Sequence, residues 1–357
     1  MADVSTIEDA CQLLRLILQL CKETGPESIE SLTRSYLSSP PTSDSVKNVA
    51  DGLMADASKV FDDATDSVLR AFAAGLGFAL SGSATYRRRR DEGYFRTLYP
   101  VLVTYMIWID QEGEEKVLEN LRDIFCSTIF GVAGYVILDS NLDEGKENPT
   151  EIPLSLSFIQ EHERLLLGVF EFNAADYGLL NRFKQLYLAA EVKEKRLRFV
   201  RSPYVKDHPE DCGYKAVHAY VPFGLLLQKI GKEDQIDEYL QFFYEWGASL
   251  QIMDDLNDLE EDLKTGHYSY PTLGFEEEFS GQSPSEVSKV IKSDREHIKG
   301  LYQVCKGLIE SARNRSADLG ADLMGHFVTI LESRIDSFFS EMLRPHERDA
   351  RPQEEIK

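Results

Sequence analysis

The chain has 357 residues, 43% of them hydrophobic, and its 39 basic and 61 acidic residues give a formal net charge of −22. That hydrophobic content is enough for a large core, and the charge argues against nucleic acid and anionic membrane surfaces as partners. An anionic substrate is not excluded, because bound metal ions can invert the local sign of charge.

Helical periodicity recurs along the chain, whereas strand signals are weak throughout. Residues 1–45 predict an N-terminal helical extension and loop, residues 46–343 an α-helical domain, and residues 344–357 a disordered tail. The predicted helices are Ile7–Lys22, Val46–Leu80, Tyr94–Trp108, Glu114–Leu138, Leu154–Phe170, Leu179–Phe199, Lys215–Ile230, Asp237–Leu263, Pro284–Ser311 and Ala321–Leu343. The sequence therefore predicts an all-α fold, as a single large helical bundle.

The cysteines are odd in number, widely spaced and without a CxxC pair, which is typical of free thiols in a reducing cytosol. They are Cys11, Cys21, Cys126, Cys212 and Cys305. The start Met-Ala-Asp-Val carries an early acid and does not resemble a signal peptide. No run reaches the roughly 18–20 apolar residues of a transmembrane helix. We expect a cytoplasmic protein with no transmembrane segment.

The most informative segment is 254–262, which contains six carboxylates in nine residues. Asp254, Asp258 and Asp262 recur every four residues and lie along one face of a helix. Like charges at that spacing repel, and Mg²⁺ would relieve the repulsion, since it takes carboxylates together with substrate phosphates as ligands. A solvated acidic face is the alternative, but the preceding run 242–250 is too apolar and aromatic for a surface helix. The pattern therefore predicts a site for Mg²⁺ and a diphosphate.

A resemblance to a known superfamily follows from these residues. The pattern Gln-Ile-x-Asp-Asp-x-x-Asp-x-x-x-Asp beginning at Gln251, followed by Lys-x-Gly, resembles the second aspartate-rich motif of trans-isoprenyl diphosphate synthases. It is also similar to the corresponding helix of squalene and phytoene synthases and of class I terpene cyclases. The tail Lys-Thr-Gly-His-Tyr-Ser-Tyr-Pro looks like the ending of that helix in the squalene and phytoene branch.

The resemblance is specific over Tyr244–Thr272 and implies a bundle of the isoprenoid synthase type with a central active-site cavity. In that superfamily Asp254, Asp255 and Asp258 would bind or support Mg²⁺ on the substrate diphosphate. Asp262 extends the predicted metal face, and two or three ions are expected once diphosphate is bound. Members are often dimers, so a homodimer is possible.

The superfamily needs a second acidic helix facing the first, and Asp139 and Asp143 are the candidates. They lie four residues apart at the end of an apolar helix, where acids oppose the helix dipole. An ordinary acidic helix end is the alternative. An elongating prenyltransferase usually carries Asp-Asp-x-x-Asp and then paired arginines, whereas Gly-Lys-Glu-Asn-Pro follows here. That departure puts chain elongation in doubt.

Cationic groups are also expected on the diphosphate. Lys215 begins the predicted helix before the acidic run and Lys264 follows that run, and both resemble diphosphate-binding lysines of prenyltransferases. Solvent-facing lysines are the alternative. The cluster 87–90, four consecutive arginines, suits either diphosphate capture or a solvated helix start.

Aromatic residues lie one to three turns before both acidic motifs. Tyr135, Phe243 and Trp246 are the candidates for contact with the prenyl tail, since aromatic faces stabilise a developing carbocation. Core packing is the alternative for each of them. Gly134 and Gly247 predict either close helix packing or room for substrate.

The leading function is a Mg²⁺-dependent class I terpene synthase, a carbon–oxygen lyase. It would ionise a linear prenyl diphosphate to a carbocation that cyclises or is deprotonated, with release of diphosphate. The alternatives are a prenyltransferase, either an isoprenyl diphosphate synthase or an enzyme that prenylates another acceptor, and a non-catalytic subunit of a prenyl synthase. Prenyl chain length and product skeleton stay open.

Overall fold

The computed structural model describes residues 65–77, 79–80, 86, 114–143, 151–170, 174–275 and 281–344. Every regular element within these ranges is helical, so the predicted all-α class is confirmed there. The predictions for the N-terminal extension, the helix Tyr94–Trp108, the arginine cluster and the C-terminal tail fall outside the described residues. The central cavity stays a prediction.

Within the described ranges, eight α-helices follow a helical stretch at residues 65–75. They are α1 Glu114–Asp143, α2 Glu151–Phe170, α3 Ala174–Leu197, α4 Val221–Lys229, α5 Ile236–Lys264, α6 Pro284–Ser293, α7 Arg295–Asp318 and α8 Asp322–Met342. Short 3₁₀ turns occur at Glu233–Gln235 and Tyr270–Thr272, and a longer one, the 3₁₀ segment, at Pro209–Tyr220.

Helix α5 lies at the centre of the second half of the described chain, in contact with the 3₁₀ segment, α6, α7 and α8. Its residues 242–249 are all buried, as expected for a helix that other elements surround on every side. The ring of Phe243 stacks on Tyr220 at 3.8 Å between centroids and meets Phe223 edge-on at 5.3 Å. The aromatic half of α5 therefore forms core, and the acidic half emerges from it.

Glycines allow two close backbone contacts in the core. A Cβ on Gly213 would lie 2.4 Å from the carbonyl oxygen of Tyr244, so only glycine lets the 3₁₀ segment approach α5 this closely. A Cβ on Gly134 would lie 2.7 Å from Ile159, at the point where α1 packs on α2. The hydroxyl of Ser155 donates to the Gly134 carbonyl at 2.7 Å and ties the two helices together.

Two predicted helices are interrupted in the structure, each at an identifiable residue. The predicted helix Lys215–Ile230 is α-helical only from Val221, because Pro222 fits the first turn of a helix but not its interior. The predicted helix Pro284–Ser311 divides at Asp294, whose carboxylate accepts from the backbone N–H groups of Glu296 and His297 at 3.1 and 3.0 Å. An aspartate that caps two orphan donors begins a new helix there.

Helix α1 contains the apolar segment Asp123–Asn141, which is long and apolar enough to cross a membrane by composition alone. However, 67% of that segment is buried inside the protein, and the buried core helix of a globular protein meets the same criterion. Cys126, Cys212 and Cys305 are free thiols, as predicted.

Candidate active site

Lys215, on the 3₁₀ segment, is the meeting point of carboxylates from two other helices. Its Nζ lies 2.8 Å from Glu194 and 3.3 Å from Glu191, both on α3, and 3.8 Å from Asp139 on α1. His267, just beyond α5, lies 3.3 Å from Glu194. These five residues are called the Lys215 cluster below. The cluster brings one predicted lysine together with one predicted aspartate.

Glu194 connects the two cations of the cluster. Its side chain is buried, and it accepts a hydrogen bond from the hydroxyl of Tyr204 in addition to its pairs with Lys215 and His267. Burial by itself would raise the pKa of Glu194, but the charges of Lys215 and His267 hold it well below its ordinary value. Glu194 is therefore an anion at neutral pH.

His267 lies between the acids of α3 and the end of the acidic helix. Its Nδ1 is 3.7 Å from Asp262, and its Nε2 faces Glu194. Burial would lower the pKa of His267, but the neighbouring carboxylates of Asp262 and Glu194 raise it to about 10. The imidazole is therefore a cation, and the Lys215 cluster contains two positive groups.

Asp255 is the most completely buried of the predicted site acids whose exposure the structure describes, at 4%. Gln251 donates to one carboxylate oxygen at 2.7 Å, while the other oxygen, Oδ2, has no hydrogen-bond partner among the described residues. Burial, followed by the charge of Asp262, raises the pKa of Asp255 to about 7. A buried carboxylate oxygen without a partner is costly unless a cation or donor arrives.

Asp254 and Asp258 lie further around α5 and are exposed. Partial desolvation raises the pKa of Asp254, the positive charge of Arg334 on α8 lowers it, and Asp258 raises it again. Since residues turn about 100° per position around a helix, one sector of about 100° contains Asp254, Asp258, Asp262 and Asp255. Asp254 and Asp258 occupy its solvent side, and Asp255 and Asp262 the side nearest the Lys215 cluster.

The other predicted site residues divide between the cluster and the rest of the molecule. Asp143 is the last residue of α1, one turn beyond Asp139. Tyr135 lies one turn before Asp139 and meets Tyr187 edge-on at 5.1 Å between centroids. Asp139, Glu191 and Lys215 all act electrostatically on Tyr187, so this aromatic pair borders the cluster.

Three predicted substrate contacts lie away from the cluster. Lys264 is exposed and pairs with Glu260 at 2.7 Å, on the opposite side of α5 from Asp255. Phe243 belongs to the aromatic core, eleven residues or about 16 Å along the helix before Asp254. Trp246 is buried in the same half of α5.

Sequence reasoning missed Glu191, Glu194, His267, Tyr187 and Tyr204. The sequence of α3 contains a signal for the two glutamates. Its buried positions follow helical spacing, and the first of them are apolar or aromatic while the last two are acids. Those positions are Leu180, Phe183, Tyr187, Glu191 and Glu194. An acid at a core position of a helix is uncommon unless it is paired, and that pattern singles out both glutamates.

Carboxylate oxygens are the donors that Mg²⁺ prefers, and the α5 acids provide them. The orphaned oxygen of Asp255 also fits a nearby cation. Among the described residues, however, no three His, Cys, Asp or Glu side chains converge closely enough to hold a metal ion. The α5 acids therefore suit Mg²⁺ in the type of ligand atom and in the unsatisfied oxygen of Asp255, but the described residues do not form a complete set of ligands.

Comparisons with known proteins give a mixed result. No protein-family model and no curated protein matches the chain. In structure the chain is similar to T. brucei farnesyl diphosphate synthase complexed with homorisedronate BPH-6, with a TM-score of 0.46 and 14% identity over 80% of this chain and 99% of that one.

A second structure of the same enzyme, in complex with 1-(carboxymethyl)-1H-benzo[g]indole-2-carboxylic acid, has a TM-score of 0.48 and 13% identity over 80% of this chain and all of that one. At these values the likeness assigns no role to any residue of this chain.

Proposed function

We propose that this protein is a Mg²⁺-dependent class I terpenoid enzyme that ionises a linear prenyl diphosphate and releases diphosphate. The leading form is a terpene synthase, in which the carbocation cyclises or loses a proton. One observation carries the proposal: acids of α1 and α3 meet at Lys215, and His267 joins that group to the end of acidic helix α5. Acids of three helices thus lie around two cations suited to a diphosphate.

The residues of this chain would divide the work of binding. Asp254, Asp255 and Asp258, with Asp262, would hold the metal on α5, and Asp139 with Asp143 would complete the site from α1. When bound, Mg²⁺ would supply the positive charge that the departing diphosphate needs.

Lys215 and His267 are the two cations that the protein itself offers to the diphosphate. Both are held by Glu194, so they are positioned before any substrate arrives. Preorganised charge of this kind stabilises a transition state without reorganisation at the moment of reaction. As the substrate ionises, Lys215 and His267 would donate hydrogen bonds to the leaving oxygens.

Tyr135 and Tyr187 would form the wall next to the reacting carbon. Their edge-on pair borders the Lys215 cluster, and the electron-rich faces of such rings favour a nearby cation. Phe243 and Trp246 are core residues of α5, so their proposed contact with the prenyl tail has weaker support than that of Tyr135.

A non-catalytic subunit of a prenyl synthase is the second candidate, and one observation favours it. Lys215 and His267 already neutralise acids of the cluster, and no three metal-binding side chains converge among the described residues. A chain that uses its own cations in place of Mg²⁺ would retain the fold without the reaction.

The test is incubation of the protein with geranyl, farnesyl and geranylgeranyl diphosphates, each with Mg²⁺ or with EDTA, and each with and without isopentenyl diphosphate. Released diphosphate and organic products are followed together. A terpene formed from one diphosphate alone, and only with Mg²⁺, is the expected result.

The other outcomes separate the alternatives. A longer diphosphate that forms only with isopentenyl diphosphate would identify a prenyltransferase. Release of diphosphate in EDTA at the same rate would contradict the metal dependence. No product in any mixture would favour the non-catalytic subunit or transfer to a different acceptor.

A further inference from the structure

Residues 193–206 carry charge of the opposite sign to the rest of the chain. They include Lys193, Lys195, Arg196, Arg198, Arg201 and Lys206 but only one acid, Glu194. Six basic residues and one acid give a local charge of +5 in a protein whose net charge is −22. Because Glu194 is buried in the Lys215 cluster, the surface of this segment, called the basic segment below, is basic.

The same segment exposes apolar side chains. Phe199 and Val200 are each 66% exposed and Val205 is 50% exposed, and the first two are the most exposed large apolar residues that the structure describes. Single exposed apolar residues are common, but three within seven positions, flanked by basic residues, form a patch. Such patches mark interaction sites.

The backbone holds Phe199 in an unusual conformation. Its φ is +59°, in the left-handed region, and Phe199 is the only non-glycine residue of the described chain with a positive φ. Its N–H donates to the carbonyl of Gly266 at 2.8 Å, and a Cβ on Gly266 would lie 2.2 Å from the ring. A strained residue that keeps a large apolar ring exposed indicates a function for the ring.

Phe199 and Val200, called the tip below, are held by hydrogen bonds of the segment on both sides. Arg201 N–H donates to the Leu197 carbonyl at 3.1 Å, and the hydroxyl of Tyr270 donates to the Lys206 carbonyl at 2.9 Å. Among the described residues, no carboxylate forms an ion pair with Arg196, Arg201 or Lys206, whereas Lys193 pairs with Asp211. The tip therefore presents its apolar and basic side chains in an ordered arrangement.

We infer that the basic segment docks the protein on an anionic lipid bilayer. Phe199, Val200 and Val205 would enter the boundary between headgroups and acyl chains, while Arg196, Arg201 and Lys206 would contact the anionic headgroups. The combination favours a bilayer because a polyanion or an acidic protein surface would match the charges but leave the apolar side chains in water.

The position of the segment links docking to the site. Tyr204 within the segment donates to Glu194, and Gly266 under Phe199 precedes His267. Docking would therefore bring the Lys215 cluster close to the bilayer surface, where a molecule with a diphosphate head and an apolar tail partitions. The overall charge of −22 opposes docking at long range, but salt at physiological strength screens charges more than about 8 Å away.

The test is flotation of the full chain with vesicles of phosphatidylcholine alone and of phosphatidylcholine mixed with phosphatidylserine, at low and physiological salt. No substrate is added, so the result does not depend on whether the proposed reaction occurs. The wild-type protein is expected to float with the mixed vesicles and to remain unbound with phosphatidylcholine alone.

Two variants separate the apolar and the basic contributions. Phe199→Asn with Val200→Ser removes the tip while asparagine still tolerates the left-handed backbone, and we expect about tenfold weaker binding. Arg196→Gln, Arg201→Gln and Lys206→Gln together remove three charges. At roughly fivefold per charge, binding should weaken by about 100-fold.

Matched controls change the same kinds of residue elsewhere. Leu156→Ser with Val290→Ser removes two exposed apolar side chains, and Lys229→Gln, Lys289→Gln and Lys299→Gln remove three exposed charges. Both controls should float like the wild-type protein, and circular dichroism checks that every variant is folded.

The inference is overturned if the wild-type protein does not float with anionic vesicles, or if either segment variant floats as well as it does. Equal binding to neutral vesicles would contradict the role of the basic residues. Binding to RNA or to an acidic protein without binding to vesicles would show that the segment has a different partner.

Discussion

Two buried glutamates on different helices meet their cations in different ways. Glu245 on α5 is 5% exposed and pairs with Arg315 on α7 through two contacts, at 3.1 and 3.4 Å. Glu194 on α3 is 6% exposed and pairs with Lys215 and His267, which also face other acids. Arg315 also pairs with Glu238, but both of its acids belong to the one helix α5, whereas Lys215 pairs with acids from two helices.

The difference separates a structural ion pair from a candidate site. The guanidinium of Arg315 matches the carboxylate of Glu245 in a forked geometry, so neither group needs a ligand. Around Lys215 the carboxylates of two helices converge, His267 connects them to Asp262 of a third helix, and Asp255 retains an unsatisfied buried oxygen. Strongly shifted pKa values at His267 and Asp255 accompany this arrangement, as is typical of functional sites.

The largest effect on activity is expected from removing acids that belong to the candidate site and not to the Glu245–Arg315 pair. Asp254→Ala and Asp258→Ala should each lower turnover by more than about 1,000-fold, because a metal bound to a diphosphate loses a ligand. Both side chains are exposed, so helical content should not change. Product formation from the best prenyl diphosphate, with circular dichroism on the same samples, measures both effects.

The matched control is Glu341→Ala, at an exposed acid on α8 away from the cluster. It should retain wild-type turnover. Full activity in Asp254→Ala or Asp258→Ala would overturn the assignment of the metal site.

Removing one cation from each region, Arg315 or Lys215, tests whether that region contributes mainly to stability or to activity. Arg315→Met should lower the free energy of unfolding by about 3–5 kcal/mol, because Glu245 is left buried without a cation. Lys215→Met should cost about 100-fold in turnover and less stability, since His267 still faces Glu194. Chemical denaturation and turnover per folded molecule give the two numbers.

The opposite ranking would remove the distinction between the regions. If Lys215→Met unfolds the protein while Arg315→Met abolishes turnover, the Lys215 cluster is the structural one. Lys215→Arg provides a conservative variant that keeps the charge, and it should restore most of the stability lost in Lys215→Met.

A third buried polar group, a histidine, is compared next because it is uncharged in the folded protein. His162 on α2 contacts the hydroxyl and the carbonyl of Ser127, each at 2.8 Å from Nδ1, and burial lowers its pKa to about 4. Its ordinary pKa is 6.5, so the unfolded chain takes up a proton in a range where the folded chain does not. The contribution of His162 to the free energy of unfolding is therefore at its full value above about pH 6.5 and decreases as the pH falls towards 4.

The expected loss over that range is about 3 kcal/mol, measured as the free energy of unfolding at several pH values. His162→Gln should remove most of this slope. His208→Gln, at an exposed histidine, should leave the slope unchanged. A slope that persists in His162→Gln would assign the acid sensitivity to other groups.

The sequence predicts much of the fold because helical periodicity is a local property. The acidic run, the apolar stretch before it and the buried face of α3 all follow the 3.6-residue repeat. The boundary at Asp294 was missed because apolar spacing continues across a capping residue. The 3₁₀ segment was missed because the effect of Pro222 on the preceding turn depends on tertiary contacts such as that of Gly213 with α5.

The site is less predictable than the fold. Asp139, Lys215 and the α5 acids stand out because acids and bases at those spacings have few other uses. Glu194 and His267 do not, because their importance arises from contacts between segments more than 70 residues apart in sequence, as between Glu194 and His267. Lys264 illustrates the reverse case: its motif position is right, but the helix turns its side chain towards Glu260.

The smallest expected effects come from two glycines for which the sequence predicts either close packing or room for substrate. Gly134→Ala should lower the free energy of unfolding by about 1–3 kcal/mol, because a Cβ would lie 2.7 Å from Ile159. Gly247→Ala should be neutral or stabilising by up to about 1 kcal/mol, since the nearest atoms lie at 3.7 Å and alanine favours a helix.

Turnover of the same two variants decides whether Gly247 serves the substrate. It lies on the side of α5 that faces Gly213 and Tyr220, about two turns or about 10 Å before Asp254. If Gly247→Ala keeps its stability but loses turnover, the space beside Gly247 admits the prenyl tail. If it keeps both, neither the packing of the 3₁₀ segment nor the substrate requires a glycine there, and we expect the tail to lie along Tyr135 and Tyr187 instead.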